Sequence, residues 1–418
     1  PYQNQIIELA KTKPHLGLLL GLGLGKTSTI LTIIADSPPG KTLVLAPLSV
    51  AKNVWAQEVQ KWSHLKHLRV AKIIGTQSER FAAMNSDADI YICNLENFVW
   101  LTEQAHPQYD ILVLDEASKW KTPSTKRWKA LKPLLRGFKR RILATATPTP
   151  NSLAEIWGQV SILDLGERLG TSLTKFRAVY LEPDQTNRHT KVVYSWKLKP
   201  GAEEEIRGRI KDICVSMSAE DYLTMPPKTV IDHAIEPSKS TLAAYKQLKR
   251  DMAIEIDGQT VTAVTAAALS NKLLQFTSGA VYDVDKSTIL VHNEKLDFLE
   301  DLLSNDEPAI VFYHFQSSLK RLQERLPDAE VLSDQAILKW QQGRLKTLLI
   351  HPMSGSMGLN LQNNYSETAN IIFYELPWSS ELYEQGIGRI FRQGQTKKVL
   401  VHHLLMENTI DQHVLNVV

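Results

Sequence analysis

The segment that most constrains this chain is Leu-Gly-Leu-Gly-Lys-Thr at residues 22–27, directly after an apolar run from Leu16 to Leu20. The pattern predicts a strand, a glycine loop and then a helix. Such a loop points several backbone N–H groups at one spot, and the helix N-terminus adds its partial positive charge. A polyphosphate is the natural occupant. Lys26 is placed to reach the β- and γ-phosphates and the Thr27 hydroxyl to hold Mg²⁺, with Gly23, Gly25 and Ser28 completing the cradle. The alternative is a glycine-rich turn with a chance lysine, which leaves the agreement of loop, Lys-Thr pair and strand unexplained. One departure is visible: the strict pattern has a glycine at position 20, where this chain has Leu20.

Strand–helix alternation surrounds that loop. Short β-rich runs fall at residues 15–20, 42–46, 69–74, 89–93, 111–114 and 141–144. Several are continuously apolar, as parallel strands buried on both faces must be. Residues 50–62 carry a helical apolar spacing between them. The block therefore reads as a doubly wound α/β domain with ligands at the strand C-termini. From 157 to 294 helical patterns dominate (201–210, 238–254, 261–276), with strands at 191–198 and 230–235 that look isolated and a turn signal at 257–258. The α/β rhythm returns near 295, with strand candidates at 309–313, 347–350, 371–374 and 399–404. The expected fold is α/β: a P-loop lobe over 1–156, a mostly helical insertion over 157–294 and a second lobe over 295–418. Because the second lobe has no P-loop of its own, a nucleotide sandwiched between lobes is expected.

Composition narrows the class. With 418 residues the chain is too long for one ordinary core. Two cysteines, Cys93 and Cys214, exclude a zinc cluster and make a disulfide framework implausible, which fits a reducing, cytoplasmic setting. No apolar run approaches a membrane span. The chain starts at Pro1 without a methionine, so upstream residues are expected to have been removed. The formal net charge is +3, so any nucleic-acid binding must rest on local basic surface.

Three further motifs carry chemistry. In Asp110-Ile-Leu-Val-Leu-Asp-Glu-Ala-Ser an apolar strand ends in two acids, about ninety residues after Lys26. Phosphoryl transfer needs a carboxylate for Mg²⁺ and a group that orients water. Asp115 at the strand end suits the first role and Glu116 the second. Leu143-Ala-Thr-Ala-Thr-Pro follows the next strand, either as a simple Thr/Pro turn or as a loop sensing phosphate. Gln385-Gly-Ile-Gly-Arg-Ile-Phe-Arg-Gln-Gly-Gln puts Arg389 and Arg392 three apart, on one helix face. A rigid guanidinium there can neutralise charge developing on a γ-phosphate, worth about 10³–10⁵ in rate.

Taken in order, these motifs and Ser354-Gly-Ser-Met-Gly-Leu-Asn-Leu-Gln resemble the motif set of superfamily-two helicases. The Gly-Leu-Asn-Leu-Gln and Arg-Gln-Gly-Gln variants resemble Swi/Snf-type DNA translocases, in a compact phage or bacterial form. Lesser matches are Pro1-Tyr-Gln, Ala46-Pro-Leu-Ser, Asn271-Lys-Leu-Leu-Gln, Lys295-Leu and Thr409-Ile-Asp. The resemblance implies two RecA-like lobes, ATP and Mg²⁺ as cofactors, and DNA, double-stranded, as partner to a monomer. It implies that Gln3 recognises adenine, that Gly358 and Asn360 approach the nucleotide from the second lobe, and that Gln385 shares that cleft. By family position Pro47, Ser49, Asn94, Ser317 and Ser354 are candidates for phosphate contacts, which are sequence-blind. Departures are Gly21, where the family commonly has an acid, Gly386 in place of alanine, and Ser356 in a glycine-rich loop; none removes a catalytic charge.

The basic stretch 119–141 holds Lys121, Lys126, Arg127, Lys129, Lys132, Arg136, Lys139, Arg140 and Arg141, with Trp120 and Trp128 interleaved. It reads either as a track for a nucleic-acid backbone or as a solvated face over core tryptophans. His402-His403 and the other histidines are too scattered for a metal site. The functional expectation is an ATP-driven translocase on duplex DNA. A strand-separating DNA or RNA helicase and a nucleic-acid-binding scaffold with a vestigial ATPase are the alternatives.

Overall fold

The computed structural model describes residues 2–105, 108–146, 153–186, 193–222, 225–257, 263–283, 285–305, 307–355, 360–363, 365–366 and 368–418. The chain forms two compact units, Pro1–Leu223 and Thr224–Val418.

In the first unit the strands are β1 (His15–Leu20), β2 (Thr42–Ala46), β3 (Val70–Ile73), β4 (Ile90–Asn94), β5 (Ile111–Asp115), β6 (Arg140–Thr145), β7 (Leu181–Thr186), β8 (Val193–Leu198) and β9 (Cys214–Met217). Seven make a parallel sheet in the order β3-β4-β2-β5-β6-β1-β9. Its central strands are buried throughout because both faces are covered. Leu43 and Leu45 enter one core with Tyr91, Trp120 and Trp157. Val44 and Ala46 enter the other with Leu18, Ile30 and Trp55. A period-two strand buried on both sides produces this split. Gly17 is needed at the β1–β9 crossing: a Cβ there would stand 2.9 Å from Cys214 Sγ.

The second unit contains β10 (Lys228–Ile235), β11 (Ala280–Tyr282), β12 (Thr288–Leu290), β13 (Ala309–Phe312), β14 (Glu330–Val331), β15 (Thr347–Ile350), β16 (Thr368–Phe373) and β17 (Lys398–Met406). Six form a parallel sheet in the order β10-β17-β16-β13-β15-β14. Ile310 and Phe312 face one core, Ala309 and Val311 the other. Two of the lesser sequence motifs meet inside this unit: Lys295 Nζ lies 2.6 Å from Asp411 Oδ2, both essentially inaccessible to solvent. Thr277 Oγ1 and the Met406 N–H donate to the same carboxylate at 2.8 and 2.9 Å. The ion pair thus joins the helices Ala263–Thr277, Glu294–Leu303 and Asp411–Leu415 to β17.

Two strand assignments need correction. The strands expected at 191–198 and 230–235 are not isolated: β8, which begins at Val193 after residues outside the described ones, pairs antiparallel with β7, and β10 pairs parallel with β17. The β7 sequence, Leu-Glu-Pro-Asp-Gln-Thr, has no apolar alternation to announce it. A parallel partner some 170 residues away leaves no local mark either. Residues 157–294, expected as an insertion, divide between the units, with β9 completing the first sheet beside β1 and β10 the second beside β17. The turn expected at 257–258 involves Gly258, which lies outside the described residues.

Candidate functional site

The first sheet is parallel throughout, so the residues following β1, β2, β4, β5 and β6 emerge along one edge. That edge carries Gly21–Thr27, Pro47, Asn94, Asp115–Glu116 and Thr145. The strands bearing the P-loop, Thr145 and the acid pair are consecutive neighbours: Leu19 pairs with Thr145, and Ala144 with Asp115.

After β1 the loop is pinned by Leu24, whose side chain is fully buried. Gly23 and Gly25 take positive φ, 82° and 69°, and Gly25 caps the helix Lys26–Ala35. Both are positions that glycine alone fills cheaply. The helix Tyr2–Thr12 delivers Gln3 to the same place: its Nε2 donates to Leu24 O at 3.3 Å, as does the Tyr2 hydroxyl. So close is Gln3 that a Cβ on Gly25 would stand 2.1 Å from Nε2. Lys26 Nζ lies back over its own loop and donates to Leu20 O at 2.8 Å and Gly21 O at 3.2 Å. Ser28 Oγ donates to Gly25 O at 2.9 Å, and Thr27 sits half-buried between them. First-turn amides of a helix have no intrahelical acceptor, so this loop offers donors where a phosphate would rest.

Asp115 ends β5 almost wholly buried. Trp55 Nε1 donates to its Oδ2 at 2.9 Å and the Glu116 N–H to its Oδ1 at 3.1 Å. Burial raises its pKa; the Trp55 bond, the charge of Lys26 and the Glu116 N–H partly offset that rise. A buried carboxylate next to a lysine, with the Thr27 hydroxyl on the same loop, is a hard oxygen set that suits Mg²⁺, which keeps waters and takes phosphate oxygens for its other ligands. Among the described residues no three His, Cys, Asp or Glu side chains form a self-sufficient metal cage. Glu116 adopts the left-handed conformation, φ 54° and ψ 58°. For a non-glycine residue this costs on the order of 1–3 kcal/mol, and such strain clusters at functional positions.

The expected nucleic-acid residues of this unit follow β2 and β4. Pro47 caps the helix Leu48–Lys61, and Ser49 is half-buried in its first turn. Asn94 is buried, and its Nδ2 donates to Glu96 Oε2 at 2.7 Å, so its amide serves the loop itself. In the basic stretch the two tryptophans belong to the core: Trp120 is fully buried, and Trp128 stacks on Trp157 at 6.2 Å. They offer no face to a base. Arg141 is buried on backbone carbonyls, and Lys139 pairs with Asp110. Lys126, Lys129, Lys132 and Arg136 are exposed.

In the second unit the helix expected to carry both arginines is Ser380–Ile387 and ends before them. Gly386 and Gly388 weaken it, and the chain tightens into turns: Arg389 N–H donates to Gly386 O at 3.2 Å and Arg392 N–H to Ile390 O at 3.0 Å. Arg389 and Arg392 therefore sit on a turn segment and share no helix face. Arg389 is buried and Arg392 half-buried. Residues 360–362 are strapped to this turn, through Leu361 N–H to Arg389 O at 3.0 Å and Gln362 Nε2 to Arg392 O at 3.0 Å. Asn360 is exposed, its Oδ1 accepting the Gln362 N–H. Gln385 is buried and donates to Glu381 Oε1 at 3.2 Å. Ser317 N–H donates to the Tyr282 hydroxyl at 2.8 Å, and Ser354 N–H to His351 O. Gly358 and Ser356 lie outside the described residues, as does Pro148 of the Thr-Ala-Thr-Pro motif.

Sequence reasoning missed Trp55 and the Tyr2 hydroxyl as supporting residues. Trp55 carried no signal, since it stands 60 residues from the acid it holds.

Residues 5–279 match the SNF2-related domain family. The chain is 31% identical over 446 residues to protein p41 of Acyrthosiphon pisum secondary endosymbiont phage 1, covering 99% of this chain and 94% of p41. It is 26% identical over 452 residues to YwqA of Bacillus subtilis, a proposed ATP-dependent helicase/translocase, and spans 47% of that longer protein. The SWI2/SNF2 ATPase core of Sulfolobus solfataricus, solved in complex with dsDNA, aligns over 99% of this chain and 89% of its own at 22% identity and a TM-score of 0.46. With the family match over most of its length and the near-complete alignment to p41, the chain belongs to the SNF2-related domain family and is a Snf2-type, helicase-like ATPase of superfamily two.

Proposed function

We propose that this protein hydrolyses ATP with Mg²⁺ to step along double-stranded DNA. The observation that carries the reading is the juxtaposition, on neighbouring strand ends, of the P-loop lysine, the buried Asp115 and the left-handed Glu116. Asp115 and Thr27 hold the metal, which supplies charge neutralisation at the phosphates when bound. Lys26 exchanges its loop carbonyls for phosphate oxygens. Glu116 orients the attacking water and takes its proton. Arg389 and Arg392 supply positive charge to the γ-phosphoryl group as the water oxygen bonds to it and its bond to the departing ADP breaks. Gln3, fixed beside Gly25, reads the base. Pro47, Ser49, Ser317 and Ser354 grip phosphates without regard to sequence, and nucleotide-driven changes in that grip produce stepping. Expected are DNA-stimulated ATP turnover and displacement of a triplex strand by the full chain. Strong duplex unwinding without triplex displacement would replace translocation with strand separation. No turnover with or without DNA would leave a scaffold.

A further inference from the structure

Four neighbouring strands of the second sheet place Asp232, His403, Phe373 and Phe312 side by side in one row: Asp232 opposes His403, His403 opposes Phe373, and Phe373 opposes Phe312. The phenyl rings of the last two are stacked at 4.9 Å. The helix Ser380–Ile387 lies on this row. Gly386 approaches so closely that a Cβ would stand 3.0 Å from Phe312 Cζ. One turn earlier, the Tyr383 ring rests 5.0 Å from Phe373, and its hydroxyl lies 3.0 Å from His403 Nε2. His403 Nδ1 in turn lies 2.7 Å from Asp232 Oδ1.

The proton positions follow from the partners. A carboxylate oxygen accepts, so His403 Nδ1 carries the hydrogen. Its Nε2 then holds a lone pair, and the Tyr383 hydroxyl donates to it. The chain starts at the half-exposed Asp232 and ends in the core, where His403 and Tyr383 are 2% and 6% exposed. A buried hydroxyl without its acceptor is costly, so this arrangement fixes the rotation of the helix about its own axis. The helix end is bonded to the arginine turn through Gly386 O and Ile387 O, which accept from the Arg389 and Ile390 N–H groups. Whatever sets Tyr383 therefore sets Gln385 and the segment 388–392.

We propose that Asp232 and His403 are positioning residues for ATP hydrolysis, acting through Tyr383 to hold the arginine-bearing turn in its working geometry. This rests on the reading that Arg389 and Arg392 serve the γ-phosphate. The edge strand β10 thereby contributes to the site through Asp232, although no sequence motif touches it.

The test uses the full chain and five proteins: wild type, Tyr383→Phe, His403→Gln, His403→Asn and Asp232→Asn. Glutamine can present an oxygen to Tyr383 where Nε2 was; asparagine reaches only toward Asp232. Tyr383→Phe and His403→Asn are expected to lower kcat about tenfold, as small misplacements of reacting groups do, with KM for ATP within about twofold of wild type. Asp232→Asn falls between them and wild type, and His403→Gln keeps most of the turnover. In the nucleotide-free proteins, amides of residues 385–392 exchange hydrogen faster in Tyr383→Phe and His403→Asn, while β13 and β16 stay protected. Wild-type turnover and exchange in Tyr383→Phe would overturn the proposal, as would equal losses in His403→Gln and His403→Asn. If His403→Asn fails to fold, Tyr383→Phe, which keeps the ring, decides alone. Should the wild type show no turnover, the motor reading fails, and the exchange comparison still decides whether the relay holds the turn.

Discussion

Trp55 Nε1 donates a 2.9 Å hydrogen bond to Asp115 Oδ2, so a residue from the helix after β2 holds the acid at the end of β5. That bond favours the charged carboxylate, while burial favours the neutral one and prevails. In Trp55→Phe the largest of the three opposing influences is gone, and the Asp115 pKa climbs further. The acid limb of kcat/KM for ATP should move to higher pH while the alkaline limb stays. An unmoved acid limb would show that the indole does not govern this carboxylate.

Asp115→Asn should separate stability from activity. The folded-state pKa of Asp115 lies above its ordinary 3.8, so its favourable contribution is complete below that value and is lost as pH rises through the folded pKa. At neutral pH the ionised group costs stability in the nucleotide-free protein. The variant should show a higher Tm than wild type at pH 7.5, a gap that narrows toward pH 4, and turnover reduced at least about a hundredfold. A lower Tm at pH 7.5 would contradict this.

Gly25→Ala meets two obstacles at once. Alanine at φ 69° costs about 1–2 kcal/mol, and its methyl would collide with Gln3 Nε2 at 2.1 Å. Gln3 must leave its place beside the loop. Binding of a fluorescent ATP analogue should weaken at least about tenfold, with a small fall in Tm. Pairing it with Gln3→Ala should relieve only the steric part.

Arg392→Ala should lower kcat far more than ATP affinity, by roughly 10³-fold for a guanidinium that acts on developing charge. Steady-state turnover beside equilibrium nucleotide binding distinguishes this from a simple binding role. Loss of affinity with unchanged kcat would remove Arg392 from the chemical step.

The pair Lys295–Asp411 predicts an asymmetric result. Removing one partner leaves a buried charge, so Lys295→Met should cost about 3–5 kcal/mol in urea unfolding of the second unit. Adding Asp411→Leu should recover much of that loss. A mild effect of Lys295→Met alone would mean the site admits water.

The P-loop and its sheet were legible because their strands are continuous apolar runs: residues 15–20 and 42–46 became β1 and β2 with those bounds. The acid pair was legible because it ends such a run. What could not be read depended on distance or on a short-range competition. Trp55 and Asp115 share no pattern. The helix before Arg389 stops early because two glycines and tight turn bonds outweigh a periodicity that, on spacing alone, continues. Trp120 and Trp128, which admitted two readings beside so many lysines, are core residues because α/β packing needs volume under β5. β14, at two residues, is too short to have a period.

The pairing of β9 with β1 bears on how this protein can be dissected. Val215 and its neighbours shield the outer backbone of the very strand that leads into the Gly21–Gly25 loop. A fragment stopping at residue 156 would leave β1 as a bare, leucine-rich margin, a template for intermolecular strand addition. One running to residue 223 keeps that margin covered, and it is there, rather than at the apparent end of the α/β rhythm, that a soluble half should be cut.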